Sequence, residues 1–492
     1  MSRQLQPGRA GAILLAIVAG ALSVGSTPLD DYVNAADSNY KYEEVAPPFK
    51  GEGYTTHYLN MTSQRWLSDE LVSPSIWWHW LAVTIPDNLT DPEHAFLYIT
   101  GGSNHDLSPP DPTSSDIFFS STVALTTGCI SASLFQIPNQ PTLFSEDPLQ
   151  KHRDEDAVIA YTWYHFQKHP DKPEYLLRLP MTKAAVRAMD TVAAFGKEKR
   201  NMTVASKFVV AGASKRGWAT WTTAAVDKRV VGAIPLVMDL LNANKVLHHM
   251  YRSLGGWTFA FDDYLALNIT QNLDTPETQQ MFDIVDPYSY IDRLTMPKFL
   301  ICTGGDEFFE PDDTHYYWKD LKGETYTRIF ANAEHSMAGH FISVMFAARA
   351  FILSIFHNTP RPKMDWTLAG DENNASITAT VDTKPLTAEV WHATSLSTER
   401  RDFRLLIGIP NPSSPLPQPV LWSHYDIKPN ANGEYVATME APKGGQWTAF
   451  FIQFTFPGPK ESVFEFSTQA QIVPTTFPYA ECHGESCAGH LV

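Results

Sequence analysis

A serine flanked by small residues follows an apolar stretch in the run Lys207-Phe-Val-Val-Ala-Gly-Ala-Ser-Lys-Arg-Gly-Trp218. The run predicts a strand, a tight turn at Ser214 and then a helix, a context in which a serine hydroxyl is presented as a nucleophile. The helix N-terminus would place the N–H of Lys215 where it can stabilise an oxyanion. Such turns usually read Gly-x-Ser-x-Gly, whereas here Arg216 occupies the last glycine position and Gly217 follows it. The alternative is that Ser214 only caps the helix.

A carboxylate follows a second apolar stretch, in the run Met296-Pro-Lys-Phe-Leu-Ile-Cys-Thr-Gly-Gly-Asp306. A strand that ends in glycines and then an aspartate is typical of the loop that carries the acid of a serine–histidine–acid triad, downstream of the serine. We therefore predict Asp306 as that acid. Asp312 and Asp313 in the same loop, and Asp239 after an earlier strand, are alternatives. Asp306 could also be a simple turn former.

A histidine follows a third apolar stretch, in the run Ile329-Phe-Ala-Asn-Ala-Glu-His335. The order serine, aspartate, histidine along the chain is the order used by hydrolases with this strand–turn–helix nucleophile. The His335 imidazole would take the proton of the serine hydroxyl, and the carboxylate would fix the imidazole tautomer. His340 and His315 are the alternatives.

Two glycines follow an early strand, in the run Ile99-Thr-Gly-Gly-Ser-Asn104. The N–H of Gly101 or Gly102 would supply a second oxyanion donor, and a plain glycine turn is the alternative. Lys215 and Arg216 place two cations at a helix N-terminus, where the helix dipole disfavours them. We therefore predict a substrate-binding role for Arg216, toward a developing oxyanion or an acidic substrate; two solvated surface charges are the alternative.

A segment rich in aromatic residues separates the strand that ends at Val237 from the strand that starts at Lys298. Insertions at such a position commonly cover the site, so we predict a lid-like insertion at about residues 239–295. Tyr251 and Trp257 are its candidate substrate-binding residues, and ordinary helical packing is the alternative.

The elements that must position these residues are short apolar runs alternating with helical patterns. The runs are Ala95–Thr100, Cys129–Phe135, Phe208–Ala211, Val230–Val237, Lys298–Thr303 and Thr327–Ala331. Continuous apolar runs indicate buried parallel strands, and the pattern predicts an α/β domain over residues 27–360, a mostly parallel sheet with helices on both faces. One helix is predicted to be capped by Thr182 and closed by Gly196.

A proline-rich hinge precedes a region of short strands separated by glycine and proline turns. This pattern predicts a β-sandwich of the immunoglobulin or fibronectin type at residues 365–470, followed by a polar tail at residues 471–492. In the tail, Cys482 and Cys487 are close enough in sequence to form a small disulfide loop, which we favour over a metal site. Cys129 and Cys302 lie in strand-like runs as buried thiols or as a second bridge.

The N-terminus has the pattern of a secretory signal at residues 1–26, with two arginines before the apolar run Ala10–Val24. The run is shorter than the roughly 20 residues of a spanning helix, so a membrane anchor is the less favoured alternative and no stable membrane insertion is expected. Five glycosylation sequons agree with an extracellular protein, at Asn60, Asn88, Asn201, Asn268 and Asn374.

Four segments together carry a resemblance to a known family: Gly-Ala-Ser-Lys-Arg-Gly-Trp218, Thr-Gly-Gly-Ser-Asn104, Trp-Trp-His-Trp80 and Gly-Gly-Asp-Glu-Phe-Phe309. From about residue 30 to residue 470 the chain resembles the PhoPQ-activated pathogenicity-related family, whose secreted eukaryotic members are called autocrine proliferation repressor A-like. That family is similar to α/β-hydrolases, which implies triad roles for Ser214, Asp306 and His335. The serine turn is also similar to that of glucuronoyl esterases, which can place the acid after an earlier strand; Asp239 therefore remains an alternative.

Two functions follow as expectations. The first is a secreted serine hydrolase that cleaves an ester or amide of a small-molecule or peptide substrate without a cofactor or metal. The second is a secreted signalling or binding protein that keeps the hydrolase fold without requiring catalysis, with a cell-surface receptor as partner. The formal net charge of −17 argues against nucleic acid as a partner.

Overall fold

The computed structural model describes residues 25–408 and 414–492. The apolar run of the predicted signal lies outside the described residues. In the part of the chain that is described, no helix is long and apolar enough to cross a membrane.

A central sheet carries the loops that the sequence singles out. Its first strands are β1 (Lys41–Gly51), β2 (Tyr54–Arg65), β4 (Ile76–Pro86), β5 (His94–Ile99), β6 (Ile130–Leu134), β8 (Lys207–Ala213), β9 (Val230–Leu236), β10 (Lys298–Thr303) and β11 (Thr325–Phe330), and a separate short pair is β3 (Val72–Ser73) with β7 (Leu143–Phe144). The order in the sheet is β1-β2-β4-β6-β5-β8-β9-β10-β11. The strands pair antiparallel from β1 to β6 and parallel from β6 to β11. Because all parallel strands run the same way, the loops after β5, β8, β10 and β11 leave the same edge.

Helices cover both faces of this sheet. They are α1 (Pro28–Asn34), α2 (Ser115–Thr127), α3 (Glu155–Lys168), α4 (Arg178–Arg200), α5 (Lys215–Val226), α6 (Ala243–Leu254), α7 (Asp262–Ala266), α8 (Pro276–Val285) and α9 (Phe341–Phe356). Successive residues of β8 point to opposite faces, so Phe208 and Val210 pack in the core with α4 and α5, whereas Val209 and Ala211 pack with α2 and α9. The fold is that of an α/β-hydrolase, as the sequence predicts.

The predicted boundaries of one helix were wrong. Helix α4 starts at Arg178, so Thr182 lies inside it and its Oγ1 bonds the carbonyl of Arg178 at 2.7 Å rather than capping the helix. Gly196 does not end the helix either. A Cβ there would lie 2.7 Å from Ile130 Cδ1, so this glycine allows α4 to approach β6 closely.

The C-terminal region is rich in antiparallel strands. They are β12 (Met364–Gly370), β13 (Asn374–Val381), β14 (Thr387–Thr394), β15 (Leu406–Ile407), β16 (Leu416–Pro417), β17 (Ser423–Asp426), β18 (Tyr435–Glu440), β19 (Thr448–Pro457), β20 (Val463–Ser467) and β21 (Gln471–Val473). Strands β20-β19-β14-β17 extend the central sheet, since β20 pairs with β11 at Thr327 and Ser467. The sheet β12-β13-β18 is the second layer. Both layers share one apolar core with α9, so this region is built onto the hydrolase sheet.

The cysteines behave as two different classes. Cys482 and Cys487 form the predicted disulfide, with a Cα–Cα distance of 5.0 Å. Cys129 and Cys302 are buried free thiols, which excludes the second bridge. Although its composition is polar, the tail packs against the 239–295 segment, and Val492 is buried there with its N–H on the carbonyl of Trp257.

Candidate active site

Ser214 lies in a strained turn between β8 and α5. It is the N-cap residue of α5, with φ of 55° and ψ of −125°, a conformation that costs a non-glycine residue about 1–3 kcal/mol. A Cβ on Gly212 would lie 2.6 Å from the carbonyl oxygen of Arg216, and one on Gly217 would lie 3.0 Å from the Gly212 carbonyl oxygen. The residue that must approach the Gly212 carbonyl closely is therefore Gly217, one residue after the usual glycine. This explains how the motif can have Arg216 at the usual glycine position.

His335 connects the serine to a carboxylate. Its Nε2 lies 2.8 Å from Ser214 Oγ, and its Nδ1 lies 2.8 Å and 3.0 Å from the two carboxylate oxygens of Asp306. Asp306 follows β10 and His335 follows β11, so neighbouring parallel strands deliver both residues to the edge where β8 delivers the serine. The structure thus brings together the three residues that the motifs single out.

The carboxylate of Asp306 is held in place by its own loop. It accepts hydrogen bonds from Thr303 Oγ1 at 2.9 Å and from the N–H of Phe308 at 2.8 Å. The ring of Phe308 also packs 4.5 Å from the His335 ring. These contacts fix the carboxylate toward Nδ1, and the remaining nitrogen of His335 is directed at the serine.

Charges around His335 favour its protonated form. Burial opposes protonation, but the Asp306 carboxylate and then the charge of Glu307 outweigh burial and raise the pKa of His335. The carboxylate of Glu307 accepts a hydrogen bond from the backbone N–H of His335 at 2.9 Å. Burial, followed by the charge of Asp306, raises the pKa of Glu307 to about 7.

The alternative acids and bases lie elsewhere. Asp239 accepts from Tyr317 Oη at 3.0 Å and from Cys302 Sγ at 3.2 Å, and burial raises its pKa to about 7. Asp312 and Asp313 contact a different histidine. Two further candidates bond backbone carbonyls instead: His340 bonds that of Asn332, and His315 bonds that of Ala470. Among these residues, only Asp306 and His335 meet at the serine.

The predicted oxyanion loop lies beside Arg216. Gly102 has a φ of +124°, which favours glycine, and a Cβ on Gly101 would come within 2.7 Å of Arg216 Nη2, so a side chain at position 101 would have to displace the guanidinium. The Arg216 guanidinium is bound to Glu155 by two contacts of 2.5 Å and 2.9 Å and donates to the carbonyl of Ile137. Arg216 is thus occupied by protein partners and does not line the cavity at the serine.

A small cavity opens beside Ser214, with a volume of about 40 Å³ open to the centres of water-sized molecules. Its wall is mostly apolar and comes from the β8–α5 region, α3, the start of α4, the chain after β9 including the 239–295 segment, and the Asp306 loop. The lining residues are Asp156, Trp163, Arg178, Ser214, Lys215, Trp218, Met238, Leu240, Leu247, Phe261, Tyr264, Phe308 and Phe309. The 239–295 segment therefore forms part of the pocket wall.

Two predicted substrate-binding residues lie away from this cavity. Trp257 is fully buried and donates its Nε1–H to the carbonyl of Cys487, and Tyr251 donates to the carbonyl of Ser486. Both therefore anchor the disulfide-containing tail, which is the packing role named as the alternative. The cavity lining instead includes Arg178, which sequence reasoning missed. The sequence feature that could have identified Arg178 is a lone cation in the apolar run Tyr175-Leu-Leu-Arg-Leu-Pro180.

Possible metal-binding groups lie outside this site. Three sets of described histidine, cysteine and acidic side chains have donor atoms close enough to share an ion, and none includes the residues around Ser214. One of these sets contains the disulfide-bonded Cys482 and Cys487, whose sulfurs are already bonded to each other.

The sequence comparison decides the family. A family model described as PhoPQ-activated pathogenicity-related protein matches residues 29–404. The chain belongs to this family. A curated member of similar length is Autocrine proliferation repressor protein A of Dictyostelium discoideum, which is 38% identical over 489 residues, covering 97% of this chain and 96% of that protein.

Three solved structures that are similar to this chain are esterases. Acetyl Xylan Esterase 1 from Thermoanaerobacterium is 14% identical with a TM-score of 0.43, covering 66% of this chain and 93% of that chain. An acetyl xylan esterase from Paenibacillus is 11% identical with a TM-score of 0.45, covering 65% and 91%. A glucuronoyl esterase from Solibacter usitatus is 14% identical with a TM-score of 0.39, covering 66% and 86%.

The five sequons of this PhoPQ-related chain differ in exposure. Asn88, Asn201, Asn268 and Asn374 are exposed, whereas Asn60 is half-buried within β2. Four of the five asparagines are therefore accessible in the folded protein, including Asn374 at the first residue of β13.

Proposed function

We propose that this protein is a serine hydrolase that cleaves an ester or amide through an acyl-enzyme, with Ser214, His335 and Asp306 as its triad. The observation that supports this proposal most strongly is the unbroken hydrogen-bonded series from Ser214 Oγ through both nitrogens of His335 to Asp306. A serine at a strained turn, a base within reach and a carboxylate that orients the base are the parts that such a reaction requires.

In the first half-reaction, Ser214 Oγ attacks the carbonyl carbon of the substrate while its proton passes to His335 Nε2. The bond from the carbonyl carbon to the leaving oxygen or nitrogen then breaks, and His335 Nε2 returns the proton to the leaving group. The carboxylate of Asp306 stabilises the imidazolium that exists between these two transfers. The N–H groups of Lys215 and of Gly101 or Gly102 would bind the oxyanion.

In the second half-reaction, a water molecule attacks the acyl carbon after losing a proton to His335 Nε2. The bond from that carbon to Ser214 Oγ breaks, Oγ recovers the proton, and the acid product leaves. No cofactor is needed to balance either step.

The test is rapid-mixing hydrolysis of a panel of p-nitrophenyl esters, peptides and glucuronoyl esters. With the p-nitrophenyl esters we expect a burst of about one product per protein chain, followed by slower turnover, because their good leaving group makes acylation faster than deacylation. Ser214→Ala should abolish the burst, while the exposed Ser206→Ala should leave it unchanged as a matched control. A burst of equal size in Ser214→Ala would contradict the proposal.

A second candidate function rests on the name of the relative from Dictyostelium discoideum, a proliferation repressor protein. In this alternative, the chain is a secreted signalling or binding protein that acts on a cell-surface receptor and does not require catalysis. A proliferation assay with purified wild type and Ser214→Ala separates the two candidates. Full repression by a folded Ser214→Ala protein favours signalling without turnover, and its loss favours the hydrolase.

Secretion and glycosylation are part of both candidates. The support is the signal-like pattern at residues 1–26, the exposed sequons and the Cys482–Cys487 disulfide, which is typical of oxidising compartments. Expression of the full chain in a eukaryotic host should yield protein in the medium with a mass that falls after glycosidase treatment. Retention in the cytosol with an unchanged mass would contradict this assignment.

A further inference from the structure

Arg178, the first residue of α4, is a buried cation with an incomplete set of partners. It is 2% exposed, and its Nη1 donates to the carbonyl of Lys215 at 3.1 Å and lies 3.4 Å from Met181 Sδ. Its Nε has no hydrogen-bond partner, and its guanidinium packs 4.0 Å from the centre of the Trp218 ring. In the described part of the chain, no carboxylate lies within salt-bridge distance of it. Since buried charges are normally paired, this arrangement indicates a partner from outside the chain.

Arg178 lines the same cavity as Ser214. Arg178 bonds the carbonyl of the residue that directly follows the serine, so the two side chains lie at neighbouring parts of the wall. The rest of the lining is largely aromatic and aliphatic, and the volume of about 40 Å³ accommodates only a few heavy atoms in this conformation. A small group attached to a carbonyl at Ser214 would therefore reach Arg178.

The other two cations near the cavity have carboxylate partners. Lys215 Nζ lies 2.9 Å from Glu155 and 3.0 Å from Asp156, and Arg216 also contacts Glu155. Within this set of three cations and two carboxylates, Arg178 is the member without a contact to an opposite charge.

Asp156 is the one carboxylate of this set that lines the cavity, and both of its oxygens are occupied. One oxygen contacts Lys215 Nζ at 3.0 Å, and the other accepts from Tyr264 Oη at 3.0 Å. Asp156 is thus held toward other partners and leaves the guanidinium of Arg178 available to a ligand.

We propose that this cavity accepts the acyl group of an ester or amide of a short dicarboxylic acid, with Arg178 binding the free carboxylate. The proposal rests on the function proposed above, because the reactive carbonyl must lie at Ser214 Oγ. A planar guanidinium in a buried, mostly apolar site binds a carboxylate through charge-assisted hydrogen bonds, whereas a neutral acyl chain would leave the guanidinium without a carboxylate partner.

Two boronic acids of matched shape test the proposal without requiring the natural substrate. In each case, Ser214 Oγ forms a bond to boron, which becomes tetrahedral, and the serine proton passes to His335 Nε2. 2-Carboxyethylboronic acid carries the carboxylate, and 3-methylbutylboronic acid replaces its two oxygens by methyl groups. By titration calorimetry at neutral pH, we expect the carboxylate to bind the wild type at least about tenfold more tightly.

Variants separate the guanidinium from general effects of charge. Arg178→Met should abolish the preference while still binding 3-methylbutylboronic acid, and Arg178→Lys should keep part of the preference. Lys228→Met, which removes an exposed cation, should behave as the wild type. Thermal melting of each variant checks its folding, and if Arg178→Met fails to fold, the comparison of the two boronates on wild type still decides.

The possible results distinguish the two levels of the proposal. Equal or tighter binding of 3-methylbutylboronic acid to wild type overturns the role of Arg178 and leaves the hydrolase intact. No binding of either boronate, or equal binding to Ser214→Ala, overturns the nucleophile and with it the dicarboxylic substrate.

Discussion

Two buried histidine–carboxylate pairs use the same loop after β10, and they differ in what the second imidazole nitrogen meets. In the pair His335–Asp306, Nδ1 contacts the carboxylate and Nε2 lies 2.8 Å from Ser214 Oγ. In the pair His249–Asp313, Nδ1 lies 2.7 Å from the carboxylate, but no serine hydroxyl contacts the other nitrogen. The first pair contacts Ser214, which lines the cavity, and the second pair is buried inside the protein.

The second pair is closed by an ion pair from the C-terminal region. Arg401 Nη1 lies 3.1 Å from His249 Nε2 and 3.0 Å from an oxygen of Asp312. Burial opposes protonation of His249, but Asp312 and Asp313 outweigh it and raise the pKa of His249 to about 9. An imidazole beside a carboxylate is therefore suited to act as a base only where its other nitrogen faces a hydroxyl that a substrate can reach.

The largest expected effect comes from removing the carboxylate of the first pair. Asp306→Asn should reduce turnover by about 10⁴, because the amide favours the wrong imidazole tautomer; this corresponds to roughly 5 kcal/mol of barrier. Asp239→Asn should cost far less, since Asp239 contacts Tyr317 and Cys302 rather than His335. Steady-state kinetics on variants with wild-type melting would check this. If Asp239→Asn loses most of its turnover while Asp306→Asn stays active, the acid of the triad lies after the earlier strand.

The second pair should affect stability instead of chemistry. Arg401→Met would remove the guanidinium that pairs with the buried carboxylate of Asp312 and leave only His249 beside it, so the free energy of unfolding should fall by about 3–5 kcal/mol. Urea unfolding measures this loss, and the activity per folded molecule should stay near that of the wild type. A large loss of kcat in folded Arg401→Met would contradict the division between the two pairs.

The smallest effect concerns the pH profile of the first pair. His335 must be neutral to accept the serine proton, so activity should fall as the pH drops through its pKa, which lies above the ordinary value of about 6.5. Glu307→Gln removes one of the charges that raise this pKa, so the acid limb of kcat/KM should move to lower pH. Movement to higher pH would contradict the stated cause.

The central sheet and the three motifs were predictable because each is encoded in a short stretch of chain. The strand predicted at Lys298–Thr303 has the same bounds in the structure. Ser214 directly follows an apolar strand, whereas Asp306 and His335 lie in the short loops that follow two other apolar strands. A parallel sheet then brings these loops to one edge without further information.

The parts that the sequence did not indicate depend on contacts between distant residues. The C-terminal strands extend the central sheet through one pairing, Thr327 with Ser467, which strand patterns alone do not specify. Trp257 was predicted to bind substrate as part of a lid-like insertion, but in the folded protein the C-terminal tail covers it. The importance of Arg178 depends on the absence of a carboxylate near it in the described residues, and that requires the folded arrangement.

Labelling with a fluorophosphonate followed by mass spectrometry of the peptides tests whether Ser214 is the reactive nucleophile. We expect one label per wild-type chain, on the peptide that contains Ser214, and no label on a folded Ser214→Ala protein. Equal labelling of both proteins at another residue would contradict this expectation.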